Sequence, residues 1–340
     1  MLQALLKNKV RKIPEVTEIR DSEEEFLEKS QAHLEQLEDI RQEKFRVYQW
    51  RKRIAIPVGV LLTPLLGFVD YWLLMIQTGD DRGAGLTLAV LGGLYAWVTH
   101  PKRQYAKAYK REILPKLAQL FGDFRYEMNG RISMLAMEAS KILPAHDKYE
   151  AEDYFVGTYK GVDIEFSEVD FKQRRRSKNR TRYVSVFKGL AIMLDMNTKR
   201  FYGHTMLDKD RGKVSEWFKQ RSSKLKRANL VDPEFEKVFD VYTNDQVEAR
   251  YLIDPVMMER LRGLQEEYDG ENMTAAFYDS QMLILIQSPY NYFEPADITI
   301  PATDPRSILS MKKEIGEILG LIDRLNLYDP TQVHPEKAVM

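Results

Sequence analysis

Two apolar stretches lying close together constrain this chain more than anything else in it. Ile54–Gln77 reads IAIPVGVLLTPLLGFVDYWLLMIQ, and Gly83–Thr99 reads GAGLTLAVLGGLYAWVT. At about 1.5 Å of rise per residue the first is long enough to cross a hydrocarbon core of about 30 Å, and the second lies at the short end of that range. The connection between them, Thr78–Arg82, is short, so two helices here are antiparallel neighbours. The pair reads as a transmembrane hairpin (54–77 and 83–99, within 51–100); the competing reading is a buried helical pair in a soluble core. Basic residues flank both segments on the outside: Arg51, Lys52 and Arg53 before the first, and Lys102, Arg103, Lys107, Lys110 and Arg111 after the second. The connection holds Asp80, Asp81 and only Arg82. By the positive-inside rule both ends of the chain are expected in the cytoplasm.

Asp70 is the objection to a span. A charge at the centre of a membrane helix costs about 2.5–3.5 kcal/mol, but Asp70 lies nearer the end of its segment, and its apolar neighbours at about −0.3 to −0.6 kcal/mol each outweigh it. Pro57 and Pro64 are tolerated in membrane helices. Small residues recur every four positions, at Ala55, Gly59, Thr63 and Gly67 in the first segment and Gly85, Ala89 and Gly93 in the second. Such stripes let helix backbones approach closely. Asp70 lies beside the first stripe, and Thr87 is its expected neighbour across the hairpin. Asp70 reads either as a polar contact closed within the hairpin or as a functional intramembrane carboxylate.

The flanking arms are charged. Glu15–Glu43, within an acidic helical arm at 1–50, carries Phe26, Leu27, Leu34, Leu37 and Ile40 at helical spacing. Gln104–Leu120, within a basic linker helix at 101–123, places Tyr105, Tyr109, Ile113 and Leu117 four residues apart, with Pro115 expected to kink it. The two arms form either a helical stalk or a solvated linker.

From 124 to 328 the pattern changes to a cytoplasmic α+β domain with a mixed or antiparallel sheet and packing helices, followed by a flexible tail at 329–340. Tyr154–Tyr159 and Val162–Glu168 alternate apolar and polar residues across Lys160-Gly161, a hairpin turn. Tyr183–Met196 and Arg200–Thr205 repeat the theme through Asn197, and Met282–Gln287 reads as a central strand. Gly157, Gly189 and Gly203 inside strands suggest bulges or close backbone approach. Ser133–Leu143 is a short helix. Asp254-Pro255 and Asp304-Pro305 place a capping acceptor before a proline at the first helical position, giving helices over Pro255–Tyr268 and Pro305–Leu325.

Chemistry is sparse. The chain has no cysteine, which removes disulfides, thiolate nucleophiles and cysteine-type metal sites. Lysine plus arginine equals aspartate plus glutamate, at 51 each, so net charge points to no partner. The N-terminus lacks the apolar core of a secretory signal. His33, His100, His146, His204 and His334 have no metal-ligand spacing, and phosphate-loop, dinucleotide and nucleophile-elbow motifs are absent. No metal, cofactor or catalytic residue is assigned. The basic run Lys172–Arg182, KQRRRSKNRTR, reads as a loop between strands, with a second basic stretch at Lys219–Arg227. Lys172, Arg174, Arg175, Arg176, Lys178, Arg180 and Arg182 form either a solvated tip or a contact for anionic lipid or a partner. Nucleic acid fits less well, without interleaved stacking aromatics.

FEKVFDVYTNDQVEARYLIDP (Phe235–Pro255) concentrates Asp240, Asp245, Glu248 and Arg250 in an apolar run. Nothing nearby supplies a nucleophile or oxyanion hole, so these residues read as a structural charge network; Asp240, Asp245 and Glu248 match no calcium loop. Glu248 and Arg250 pair only if the segment is extended. Together with EDYFVGTYKGVDIEFSEV and FKGLAIMLDMNTKRFYGHT upstream, this stretch resembles a bacterial membrane family, domain of unknown function 3137, over roughly residues 120–290. The resemblance implies an N-terminal helix, a two-helix membrane segment and a cytoplasmic domain. It also implies a LemA-type membrane protein as partner, and it supplies no catalytic residues.

The expectation is a non-enzymatic interaction or scaffold protein of the bacterial inner membrane, multi-pass, with both termini cytoplasmic. Its domain binds a partner protein or the anionic leaflet, and homo-oligomers are compatible with it. The alternatives are an oligomeric transport or channel component using Asp70, and a membrane-associated enzyme of unrecognised type.

Overall fold

The computed structural model describes residues 9–10, 21–76, 85–177, 180–196, 201–208, 225–228, 230, 232–267, 273–325 and 327. The Thr78–Arg82 connection, Lys178, most of Lys219–Arg227 and the 329–340 tail lie outside them. The chain divides into two compact units, 15–114 with 295–308, and 1–14 with 115–294 and 309–340.

The first unit is built on two long helices. α1 (Asp21–Ile76) runs unbroken through Pro57 and Pro64. α2 (Gly85–Ala108) returns alongside it. In the N-terminal half of α1, Phe26, Ser30, Leu34, Leu37 and Arg41 are buried at three- to four-residue spacing, one face of a helix. Further along, Ile56, Val60, Leu61, Leu65 and Phe68 are exposed. α1 is the one helix among the described residues long and apolar enough to cross a membrane, and 11% of its most apolar stretch is buried. A core helix of a soluble protein would be mostly covered.

Glu38 and Arg41 clamp the segment 298–302 to α1. Arg41 Nε and Nη2 donate to Glu38 at 2.8 and 2.6 Å, Nη1 donates to the Ile298 carbonyl at 2.7 Å, and Glu38 accepts the Ala302 N–H at 2.7 Å. The Arg41 guanidinium holds the Glu38 carboxyl down to about 2. Beside this clamp, Lys102 pairs with Asp297 at 2.8 Å. α2 then widens into a π-helical turn, Tyr109–Ile113, in which the Leu114 N–H bonds the Tyr109 carbonyl. Pro115 accounts for the position: its ring crowds the carbonyl four residues back, and a wider turn relieves the clash. The result is a local π-turn rather than a simple kink.

The second unit is α+β. Its nine-stranded antiparallel sheet has the order β2-β3-β4-β5-β10-β9-β6-β8-β7. The strands are β2 (Asp123–Glu127), β3 (Lys148–Tyr159), β4 (Val162–Ser177), β5 (Arg180–Asp195), β6 (Thr205–Asp208), β7 (Lys226–Arg227), β8 (Asp240–Thr243), β9 (Met273–Tyr278) and β10 (Gln281–Gln287). β1 (Lys9–Val10) pairs in parallel with β11 (Tyr290–Asn291). β10 is central, with Met282, Leu283, Ile284, Leu285 and Ile286 buried on both faces. One face packs Val169, Phe171, Met193, Leu283 and Leu285 beneath Ile132, Met137, Ile142 and Leu143, the segment holding α3 (Leu114–Ala118)'s successor α4 (Met134–Ala139). On the other face Phe155 and Phe166 stack with ring centroids 4.7 Å apart, and Phe293 lies tilted against both at 4.9 and 5.9 Å.

Hairpin geometry follows the turn residues. Lys160 and Gly161 both take positive φ (50° and 80°), as do Asp279 and Ser280, the left-handed pairs that match strand twist. A Cβ on Gly189 would overlap the Ile286 carbonyl oxygen of the neighbouring strand, so the close approach demands glycine. The helices α5 (Pro233–Val238), α6 (Gln246–Leu252), α7 (Pro255–Glu267) and α8 (Pro305–Leu325) complete the fold. Each begins after an aspartate whose carboxylate accepts a first-turn N–H: Asp232, Asp245, Asp254 and Asp304.

Two expectations need correction. β5 and β6 do not form a hairpin: β5 lies between β4 and β10, and β6 between β8 and β9. The basic run Lys172–Arg182 belongs to strands at both its ends, as β4 continues to Ser177 and β5 starts at Arg180. Phe235–Val238 is helical, because Asp232-Pro233 is a further Asp-Pro start.

Candidate functional site

The longest hairpin of the sheet ends in a basic ribbon. β3 leaves β4 at the Lys148↔Lys172 pair, and β10 leaves β5 at Gln287↔Gly189. Beyond them β4 and β5 pair with each other alone among the described residues, as Gln173↔Val184, Arg174↔Tyr183, Arg175↔Arg182, Arg176↔Thr181 and Ser177↔Arg180. Side chains alternate in a strand. Arg175, Arg182 and Arg180 therefore share one face, and Arg174, Arg176 and Tyr183 the other. Arg174, Arg175, Arg176, Arg180 and Arg182 are all exposed.

The base of the ribbon is anchored. Lys172 binds Glu150 and lies 3.4 Å from Asp170, and the Arg174 N–H donates to Asp147 at 2.7 Å. Lys148 and then Lys172 lower the Glu150 pKa. Lys172 is thus taken up in ion pairs at the foot of the ribbon, apart from the arginines of the tip. Lys178 lies outside the described residues.

In the helical hairpin, Asp70 is 7% exposed and turned toward α2. Its Oδ2 accepts the Thr87 hydroxyl at 2.6 Å and the Thr87 backbone N–H at 3.1 Å. Thr87 is in the first turn of α2, where backbone N–H groups lack intrahelical partners. The carboxylate therefore caps α2 from across the hairpin, at the positive end of its dipole. Its Oδ1 is buried without a hydrogen-bond partner.

Only part of the small-residue stripes is covered: Ala55 is buried and Gly59 half-buried. Gly67, Gly85, Ala89 and Gly93 are exposed, and a Cβ on Gly67, Gly85 or Gly93 would meet nothing within 4 Å. Only Gly59 approaches the other helix, where a Cβ would reach Leu94 at 3.6 Å. Thr63 is exposed and donates to the Gly59 carbonyl at 2.6 Å. The other covered positions include Leu62, Leu66 and Asp70 on α1 and Thr87, Leu91, Leu94 and Val98 on α2. Large side chains at that spacing interlock, and beyond Gly59 they take the place of the glycines.

The charges of the 235–255 stretch act one at a time. Asp240 pairs with Arg227 at 3.0 Å. Asp245 caps α6 by accepting the N–H groups of Val247 and Glu248 at 2.9 and 3.0 Å. Glu248 accepts the N–H groups of Tyr202, at 2.8 Å, and Gly203, and a Cβ on Gly203 would strike its carboxylate. Arg250 is exposed on α6. Because 246–252 is helical, Glu248 and Arg250 diverge instead of pairing. The stretch holds backbone in place, and its carboxylates do not converge on one point.

Sequence reasoning missed three buried carboxylates with similar duties. Asp153, with φ of 55° at a β3 bulge, accepts the Tyr126 hydroxyl at 2.6 Å. Glu168 accepts the Tyr292 N–H, and Glu314 accepts the Phe293 N–H at 2.8 Å. Phe293 itself has positive φ (54°). No local sequence signal marks them: Asp153 follows Glu152, Glu168 lies two residues before Asp170, and Glu314 follows Lys312-Lys313. His204 is buried, with Nε2 2.7 Å from the Ser140 carbonyl. An acidic cleft of about 370 Å³ is lined by Glu150, Glu152, Glu168, Asp170 and Lys188. No group of three potential metal ligands occurs among the described residues.

Residues 185–327 match the family model described as Protein of unknown function (DUF3137), further toward the C-terminus than the 120–290 of the resemblance. No curated protein matches. A solved structure, that of the mycobacterial trehalose monomycolate transport factor A, TtfA, is similar at 12% identity, covering 64% of this chain and 97% of its own. Its TM-score is 0.30.

Proposed function

With residues 185–327 in the family of proteins of unknown function DUF3137, we propose that this chain is a non-enzymatic interaction protein anchored in the bacterial inner membrane. α1 and α2 form the anchor, both termini are cytoplasmic, and the α+β domain binds a partner. What carries the reading is the bare apolar middle of α1. Val60, Leu61, Leu65 and Phe68 are 69%, 73%, 58% and 66% exposed. Each would gain about 1.5–3 kcal/mol on leaving water. Aromatic rings bracket the segment. Trp50 packs edge-on against Trp97 at one end, with Arg51 over the Trp97 ring at 5.0 Å, and Tyr71 and Trp72 are exposed at the other. Trp50 and Tyr71 are 21 residues apart, about 32 Å along a helix, which matches the spacing of the two interfacial belts.

The family resemblance makes a LemA-type membrane protein the first partner to seek. The test is cross-linking in native membranes, purification of the full chain, and mass spectrometry. A stoichiometric partner supports the reading. A defined oligomer of the chain alone turns weight to the second reading, an oligomeric transport component. That reading is favoured by the unpartnered Asp70 Oδ1, and it requires Asp70→Asn to change transport at unchanged expression.

A further inference from the structure

The geometry points to the Arg174–Arg182 ribbon as a membrane-reading arm that docks on anionic phospholipid headgroups. It rests on the membrane reading above, which supplies a leaflet near the domain. Gln173–Val184 contains five described arginines and no acidic residue. The acids that meet this hairpin at its foot are Glu150 and Asp170 at Lys172 and Asp147 at the Arg174 N–H. Past that point Arg175 faces Arg182 directly across the ladder. Like charges so paired destabilise a hairpin. A two-stranded ribbon without further strands is marginal in water to begin with. The sequence thus concentrates repulsion where the fold is weakest, which an external anion would offset.

Phosphate-bearing headgroups suit this surface in two ways. Guanidinium groups bind phosphate oxygens in paired hydrogen bonds. Tyr183, 53% exposed on the face of Arg174 and Arg176, is an amphipathic ring of the kind that settles at an interface. The ribbon presents arginine on both faces, so it fits a plane of headgroups it can lie in better than a single bound ion.

Because the chain has no cysteine, Thr181→Cys offers one attachment point for an environment-sensitive fluorophore. The full chain is reconstituted in nanodiscs of phosphatidylcholine alone, or of phosphatidylcholine with phosphatidylglycerol. Emission is expected to shift to the blue only in the anionic discs, and to return as salt is raised. Each arginine near an anionic leaflet is worth about five-fold. Arg175→Ser with Arg182→Ser should therefore lower the docked-to-free ratio roughly 30-fold, while Arg175→Lys with Arg182→Lys keeps most of it. Equal emission in both discs, or a shift untouched by the serine pair, overturns the proposal. So does a shift produced in neutral discs by added RNA and absent with anionic lipid. A chain that stays out of the discs overturns the anchor reading instead. The same probe is then read with the chain mixed with anionic vesicles, where an unshifted emission overturns the ribbon proposal.

Discussion

Replacing Glu38 by glutamine keeps the size of the side chain and removes its charge. The carboxylate accepts two bonds from Arg41, one from the Gln42 amide and one from the Ala302 N–H, with side chains 15% exposed for Glu38 and 8% for Arg41. A carboxyl held at about 2 instead of 4.5 corresponds to about 3 kcal/mol in the absence of solvent. Screening at a partly exposed site lowers that to about 1–2 kcal/mol. Glu38→Leu leaves the guanidinium without its counter-charge and should cost about 3 kcal/mol. Amide hydrogen exchange at Ala302 in the detergent-solubilised chain reads the clamp directly, since that N–H is held by Glu38. Glu38→Gln should speed it about 5- to 30-fold at pH 7. The pH dependence has a fixed sign. A depressed folded pKa means the contribution is present above the unfolded value near 4.5 and is lost as pH falls toward 2. Unchanged protection at pH 7, or a wild-type advantage undiminished near pH 2, would refute the clamp.

Gly189→Ala forces a methyl into the Ile286 carbonyl and should destabilise the sheet domain by more than about 3 kcal/mol; near-normal denaturant unfolding would mean that β5 and β10 are not in this register. Burial pushes the His204 imidazole below its usual value, and the neutral ring donates to Ser140. Stability should therefore be full above pH 6.5 and decline as pH falls below it, and His204→Phe should flatten that slope in a pH series of melting curves. Asp70→Ala strips the cap from Thr87 at a cost of about 1 kcal/mol, seen as faster exchange of the Thr87 amide, with Asp70→Asn milder; equal exchange in all three contradicts the cap.

Local chemistry was legible in the sequence. Lys160-Gly161 closes a hairpin, Asp254-Pro255 and Asp304-Pro305 start helices, and Thr87 is Asp70's neighbour. Each depends on residues a few positions apart or on a hairpin that brings two helices together. The basic run was misread because strand pairing, not composition, decides whether charges sit in a loop: neighbouring β3 and β10 fix β4 and β5 in register, and the ladder continues into the arginines. The small-residue stripes are covered at Ala55 and Gly59 and exposed at Gly67, Gly85, Ala89 and Gly93, because spacing identifies a helix face without saying how far along it the partner packs. Glu168 and Glu314 serve the backbone of Tyr292 and Phe293, 124 and 21 residues away, a relation no local pattern carries.

We propose that α1 and α2 cross a membrane and leave the α+β domain in the cytoplasm. Fusing alkaline phosphatase at Gly79 and a fluorescent protein at Met340 tests it in living cells. Phosphatase activity at Gly79 together with fluorescence at Met340 is the predicted result. An inactive phosphatase at Gly79, or an exported C-terminus, would contradict it.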